Sequence, residues 1–340
     1  MSGVQTIKVP NGEGDQRLDR WLKRRFPQLT QGRIERGCRK GEIRVDGARV
    51  KPAARVEAGQ AVRVPPLPEK PAPQVARVEP GLSDADAAMI RAAVIYQDDH
   101  LIALNKPPGL PTQGGSKQTR HVDGMSAALS AGEKPRLVHR LDKDTSGVLL
   151  LARSAAAARA LTTAFRARET RKIYWAAVAG MPKPAMGTIR FGLVKAGGDA
   201  EKMHAVLPDD VAATRDAKHA TTDYAVLSHL GTRASWMALA PITGRTHQLR
   251  VHMAAIGHPI LGDGKYGGSS QENLGDGWGA GMGGISRKLQ LHARSLSLTH
   301  PFSGARLNLT APLPEHMART WEMMEWVPGD VPTDPFEDLS

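Results

Sequence analysis

The chain has 340 residues, 41% hydrophobic and only 4% aromatic, a length that is long for one domain and comfortable for two. Its formal net charge is +12 with a pI near 10.0, which points to a polyanionic partner. A single cysteine, Cys38, excludes a disulfide framework and a thiolate metal site within one chain, and no stretch has the apolar length of a signal peptide or a membrane span, so a soluble cytoplasmic protein is expected.

The positive charge is concentrated. Residues 16–64 hold 14 Lys and Arg against 5 Asp and Glu, so a net +9 falls in about one seventh of the length. Leu18, Trp21, Leu22 and Phe26 share one helical face, with Arg20, Lys23, Arg24 and Arg25 around the other sides. Pro27 closes that helix. Thr30 is placed to cap a second one, which carries Ile34 and Cys38 with Arg33, Arg36, Arg39 and Lys40 interleaved. Gly41-Glu42-Ile43-Arg44-Val45 alternates like a strand, Asp46-Gly47 signals a hairpin turn, and Val56, Gly59, Val62 and Val64 complete a small sheet.

This helix-helix-hairpin unit, residues 16–64, resembles the S4 RNA-binding domain. The matching residues are Arg17-Leu18-Asp19, the turn at 41–47, and Gly59-Gln60-Ala61-Val62-Arg63-Val64. The resemblance implies docking on structured RNA through basic residues, for which Arg17, Arg20, Arg24, Arg33, Arg36, Lys40 and Arg44 are the candidates.

Residues 65–90 read as a linker. Pro65, Pro66, Pro68, Pro71, Pro73 and Pro80 make its first part a semi-extended tether, and residues 85–93 suggest a short helix. From Val94 onward strands, turns and helices alternate. Strands are expected near 94–96, 101–104, 173–179, 222–227, 236–240, 289–298 and 307–310. Ser154 caps an alanine-rich helix to about residue 168, and a helix through Leu249, Val251 and Met253 starts at Thr243 or Thr246. The mixture predicts an α+β fold on a mainly antiparallel sheet over residues 91–328, beside the small α/β S4-like domain. The glycine-rich stretch 268–284 reads as a surface insertion, since it lacks the Gly-Lys-Ser/Thr or Gly-x-Gly-x-x-Gly pattern of a nucleotide site.

The chemistry concentrates around 139–152. There His139-Arg140-Leu141-Asp142 runs through a Thr145-Ser146-Gly147 turn into an unbroken apolar run. Asp142 is therefore expected in a loop at the edge of a core, where a carboxylate is fixed and partly desolvated. Three further segments accompany it: Asn105-Lys106-Pro107-Pro108-Gly109, Arg171-Lys172-Ile173-Tyr174 with the strand that follows, and Thr243-Gly244-Arg245-Thr246-His247-Gln248-Leu249-Arg250. Residues 257–263 and Leu291-His292-Ala293 complete the set. In this order the segments resemble the RluA family of pseudouridine synthases. The S4-like unit and proline linker bring the chain nearest the type that acts on large-subunit ribosomal RNA.

The resemblance implies a reaction and roles. Uridine in RNA becomes pseudouridine, with the target nucleotide flipped out of its stack. Asp142 is the nucleophile, held anionic by Arg250, and Tyr174 offers the uracil an aromatic face and a hydroxyl. Arg140 fills the gap left by the flipped base or meets a phosphate, and His139 supports the loop. Lys106 either anchors its turn or serves the site. No metal, organic cofactor or nucleotide cofactor is called for. His247, His252 and His258 lack acidic or cysteine company and are expected to be structural. The implied partner is 23S rRNA or a large-subunit precursor, the expected state is a monomer, and no membrane association is expected. Two other functions fit the same features: a non-catalytic S4-type ribosome-assembly factor, and a tRNA-directed synthase of the same family.

Overall fold

The computed structural model describes residues 3–67, 82–114, 120–167, 170–197, 202–267 and 285–337. The glycine-rich stretch 268–284 and most of the proline tether (68–81) lie outside the described residues. The chain divides into two compact units, Met1–Gly81 and Leu82–Ser340.

The first unit contains β1 (Gln5–Lys8), β2 (Gln16–Arg17), α1 (Leu18–Arg25), α2 (Gln31–Lys40), β3 (Arg44–Val45), β4 (Ala48–Arg49), β5 (Arg55–Val56) and β6 (Ala61–Val64). A sheet of order β1-β6-β3-β4 and the pair β2-β5 complete it. The apolar face of α1 (Leu18, Trp21, Leu22) and Ile34 and Cys38 of α2 close on Ile43, Val45, Val56, Val62 and Val64, all buried. Thr30 caps α2 by accepting the Arg33 N–H at 3.3 Å. The strand expected from Gly41 begins only at Arg44. Gly41 takes the left-handed cap of α2 (φ 73°), and the Glu42 and Ile43 N–H groups donate back to the Gly37 carbonyl at 2.8 and 3.2 Å. Asp46 (φ 48°) and Gly47 (φ 77°) form the two-residue hairpin turn, whose twist suits paired strands. Burial, with the Asp19 charge, pushes the Cys38 thiol up to about 11, which leaves it protonated and unreactive.

The second unit runs through α3 (Asp84–Ala92), β7 (Val94–Gln97), β8 (Leu101–Lys106), α4 (Val122–Met125), β9 (Arg136–Leu137), β10 (Ser146–Ala152), α5 (Ala155–Ala167) and β11 (Arg171–Ala179). It continues through β12 (Met186–Lys195), β13 (Met203–Val206), β14 (Lys218–Leu230), β15 (Ala234–Pro241), α6 (Gln248–Ala255), β16 (Leu291–Thr299), β17 (Arg306–Thr310) and α7 (Glu315–Met323). One large sheet of order β13-β12-β14-β15-β11-β16-β10-β8-β7 carries the unit, with β17 on β16 and β9 on β10. Every described pair is antiparallel except β10 with β16, so the fold is α+β on a mainly antiparallel mixed sheet. That parallel pairing brings Gly147 (φ 107°) so close to β16 that a Cβ would lie 2.2 Å from the Ala293 carbonyl oxygen; only glycine fits.

Strands β12 and β13 and helix α7 went unanticipated. β12 has glycines at 187 and 192 that blur its alternation, and β13 has only four residues. α7 delivers Trp321 into a cluster with Trp236 at 5.6 Å and Trp326 at 5.2 Å, and Trp236 meets Trp175 edge-on at 4.6 Å. Phe336 is buried in the same core, and Ile90 of α3 packs with Ile102, Leu104 and Leu149. Among the described residues no helix is long and apolar enough to cross a membrane.

Candidate active site

Asp142 lies in the loop between β9 and β10, where its main chain is fixed from several sides. The Leu141 carbonyl accepts from Thr112 Oγ1 at 2.7 Å, and the Leu141 N–H donates to the same oxygen at 3.2 Å. Thr145 N–H closes the turn on the Asp142 carbonyl at 3.2 Å. Lys106, fully buried at the end of β8, donates its ammonium to the carbonyls of Leu110 (2.8 Å), Pro107 (2.9 Å) and Lys143 (3.0 Å). Burial lowers the Lys106 pKa to about 7, against the pull of the Asp144 and Asp142 charges. Lys106 thus ties the first motif to the Asp142 loop.

His139 also braces this loop. Its Nε2 accepts the Leu150 N–H at 2.9 Å and its ring stacks on Phe165 at 4.6 Å. Burial, helped by the Lys172 charge, lowers its pKa to about 3, so it stays neutral. At the start of β10, Ser146 Oγ pairs with His292 Nδ1 at 2.9 Å.

Two cavities meet at Asp142. One, of 760 Å³, has Asp142, Tyr174, Lys172, Phe165 and Leu249 among its walls. Tyr174 is half-buried on β11, and burial together with the Asp142 charge pushes its phenol well above the ordinary range. It is therefore a neutral hydroxyl at neutral pH. The second cavity, of 1400 Å³, is lined by Lys143, Lys195, Lys202, Lys265, Arg287 and Lys288. Arg140, Asp142, His247 and Arg250 border both. Arg140 is exposed where the two join.

Arg250 differs from expectation. The resemblance pairs it with Asp142, yet its guanidinium forms a buried bidentate pair with Asp263, Nε to Oδ2 at 2.7 Å and Nη2 to Oδ1 at 2.6 Å. Burial opposes its charge, but the Asp263 hydrogen bonds and the fields of Asp263 and Asp142 outweigh that and hold its pKa above the usual arginine range. The Asp142 charge thus reaches Arg250 through space, without a hydrogen bond between the two side chains.

The helix carrying Arg250 starts at Gln248, later than Thr243 or Thr246. The Gln248 side chain explains the shift. Its Oε1 accepts from Thr243 Oγ1 (2.7 Å) and Arg245 N–H (3.0 Å), and its amide donates to Thr221 O (2.8 Å) and Thr222 Oγ1 (2.9 Å). All its bonding capacity is spent tying residues 243–247 to β14 as a loop. His247 ends that loop with its Nε2 at 3.9 Å from Asp142 Oδ2 and its Nδ1 at 2.7 Å from Tyr266 Oη. The sequence alone marks His247 as structural and does not single out Tyr266. The signal available was the position of His247, three residues before Arg250. His258, by contrast, bonds the Ala179 carbonyl at 2.9 Å, and His252 is fully buried in the core. Among the described residues no three His, Cys, Asp or Glu side chains come together as metal ligands would.

In the first unit the basic candidates divide. Arg20, Arg33, Arg36 and Lys40 are exposed and form no ion pair with another described residue. Arg24 reaches Glu13 at 3.3 Å. Arg17 clamps Asp19 at 2.6 and 3.1 Å, holding that carboxyl below the usual range, while Arg44 donates to the Gly41 and Gly47 carbonyls, both at 3.0 Å.

A mixed sheet with a loop-held carboxylate at the edge of two cation-lined cavities, in a chain that also carries a helix-helix-hairpin unit, defines a class, and the comparisons agree with it. The family model for RNA pseudouridylate synthase matches residues 100–255, and that for the S4 domain matches residues 16–62. The chain belongs to the RNA pseudouridylate synthase family and its enzymatic class is RNA pseudouridine synthase. It is 33% identical to the ribosomal large subunit pseudouridine synthase C of Vibrio cholerae serotype O1, over 94% of this chain and 97% of that one. It is 35% identical to the protein of that name from Rickettsia felis (88% and 93%) and 34% identical to that of Escherichia coli K12 (93% and 95%). Among solved structures, human RNA pseudouridylate synthase domain containing 4 superposes with a TM-score of 0.55 at 30% identity, covering 70% of this chain and 95% of the human one.

Proposed function

We propose that this enzyme converts specific uridines of 23S ribosomal RNA to pseudouridine, with Asp142 as nucleophile and the target base flipped into the 760 Å³ cavity. The observation that carries the reading is the position of Asp142 at the shared edge of two cation-lined cavities, one of which also holds Tyr174 and Phe165. In the reaction the bond from N1 to C1′ breaks, the uracil turns, and a bond from C5 to C1′ replaces it. The C5 proton is lost and N1 gains one, so no atoms are exchanged overall. The detached base must not diffuse away, and Tyr174, Leu249 and the Asp142 loop bound the space that would retain it. Arg140, exposed where the cavities join, is placed to fill the gap in the RNA stack or meet its phosphate. The lysines and arginines of the larger cavity suit the flanking phosphates, and the S4 domain supplies a second basic surface. The names of the relatives, matched over nearly the whole chain, favour large-subunit rRNA over tRNA as the target.

The test is pseudouridine mapping after incubation of the full chain with 23S rRNA and, separately, with tRNA. Discrete new sites in 23S rRNA are expected. Asp142→Asn should yield no product while binding RNA as well as the wild type. Product confined to tRNA would overturn the substrate, and full activity of the variant would overturn the nucleophile.

A further inference from the structure

We propose that His247 and Tyr266 form a positioning relay for the Asp142 carboxylate, in which the Tyr266 hydroxyl fixes the imidazole tautomer and so aims Nε2–H at Asp142 Oδ2. The proposal rests on the reading of Asp142 as the nucleophile.

The geometry is over-determined. His247 holds a left-handed backbone conformation (φ 53°), which a non-glycine residue adopts only when its surroundings impose it. The bonds of Gln248, the next residue, hold the loop in which His247 stands against β14. The imidazole is 11% exposed, with Nδ1 at 2.7 Å from Tyr266 Oη. That oxygen already accepts the Met203 N–H at 3.0 Å, so its own proton is available for Nδ1. The Tyr266 N–H donates to Asp263 Oδ1 at 3.1 Å, and the Arg250 guanidinium lies over its ring at 5.1 Å. Asp263 thus holds both Arg250 and Tyr266. With Nδ1 accepting, a neutral imidazole carries its proton on Nε2, the nitrogen facing Asp142. At 3.9 Å the contact is longer than a hydrogen bond, and contacts of this kind tighten in the reactive complex. A donor on Oδ2 stabilises the anion and leaves Oδ1 for the substrate. His258 and His316, by contrast, bond main-chain carbonyls, those of Ala179 and Leu289.

The charged and titratable groups facing His247 are Asp142 from the β9–β10 loop, Arg250 on α6, and Asp263, Lys265 and Tyr266 after α6. In Tyr266→Phe the ring stays under Arg250 but Nδ1 loses its donor. The imidazole then can carry its proton on Nδ1, turning a lone pair toward the carboxylate. We expect kcat to fall about tenfold at pH 8 with KM for RNA unchanged. Burial holds the His247 pKa below its ordinary 6.5, so the deficit should persist at neutral pH and shrink only at pH values well below 6.5, where a doubly protonated imidazole restores Nε2–H. His247→Asn tolerates the left-handed backbone and keeps an amide near Tyr266 but cannot reach Asp142, and it should lose activity. His247→Gln places an amide N–H where Nε2 stands and should recover part of it. A pH-independent deficit in Tyr266→Phe, or equal activity of the Asn and Gln variants, would overturn the relay. Nitrogen NMR of the His247 ring reads the tautomer without turnover: Nε2–H in the wild type is required, and Nδ1–H would sink the proposal. Absence of product from the wild-type enzyme would instead count against the functional reading.

Discussion

The two units use the same residue types in opposite ways. In the S4 unit Arg20, Arg33, Arg36 and Lys40 stand in solvent and form no ion pair with another described residue. In the catalytic unit Lys106 is fully buried on three carbonyls, and Arg250, 7% exposed, is locked to Asp263. A cation that acts through its field on a polyanion tolerates imprecise placement, and stays useful only while solvated and unpaired. One that ties loops together at a pocket must be fixed, and burial with full hydrogen bonding fixes it. Histidines divide even more sharply: all twelve lie beyond residue 99.

That division predicts the largest separation of the two units, under mild acid. Burial lowers the pKa of His139 to about 3 and of His252 and His292 to about 4, from 6.5 in a free side chain. Below pH 6.5 the unfolded chain takes up protons that the folded unit refuses. The stability these groups contribute is therefore complete above 6.5 and is lost as pH falls toward 4. Calorimetry of the full chain between pH 7.5 and 5 should show one transition moving down by many degrees while another holds. The S4 unit, without histidine, should weaken only further down, where Asp19 protonates. Parallel movement of both transitions would show that the units do not titrate separately.

Next in size is the buried pair. Asp263→Asn leaves Arg250 charged and without its partner, which should cost about 3–5 kcal/mol in denaturant unfolding of the catalytic unit and abolish product formation. Lys106→Met removes a cation but strands carbonyls at Leu110 and Lys143. A loss of about 2 kcal/mol is expected, with kcat falling more than KM rises, because the Asp142 loop loses its tether. A variant that unfolds normally yet retains full kcat would separate Lys106 from the site.

Much of this division was legible in the sequence, for identifiable reasons. The charge density of residues 16–64 and the apolar run after Gly147 are local patterns, and they located the S4 unit and the Asp142 loop. Tyr174 was found because its motif lies in one strand. What escaped depends on contacts between segments distant in sequence. The partner of Arg250 is Asp263, thirteen residues on and past the end of α6, and nothing in the 243–250 motif specifies it. His247 looked like one of three similar histidines, and only its left-handed backbone and the Tyr266 hydroxyl set it apart from His258. β12 escaped because glycine interrupts the alternation by which strands are recognised.

The smallest structural effect, and the sharpest test of the field reading, lies in the S4 unit. Replacing Arg20, Arg33, Arg36 and Lys40 with glutamine should leave unfolding free energy within about 0.5 kcal/mol, since none holds another described residue by an ion pair. The variant should bind rRNA more weakly, with the slope of log affinity against log salt reduced by about one for each phosphate no longer neutralised. Turnover at saturating RNA should be unchanged. Arg44→Gln is the contrasting substitution, because Arg44 ties together the Gly41 and Gly47 carbonyls that frame the hairpin. It should lower the stability of the S4 unit by about 1 kcal/mol. If the fourfold variant loses stability instead, or keeps the wild-type salt slope, these cations serve the fold rather than RNA. The two units would then differ only in how deeply they bury their cations, and not in what the cations are for.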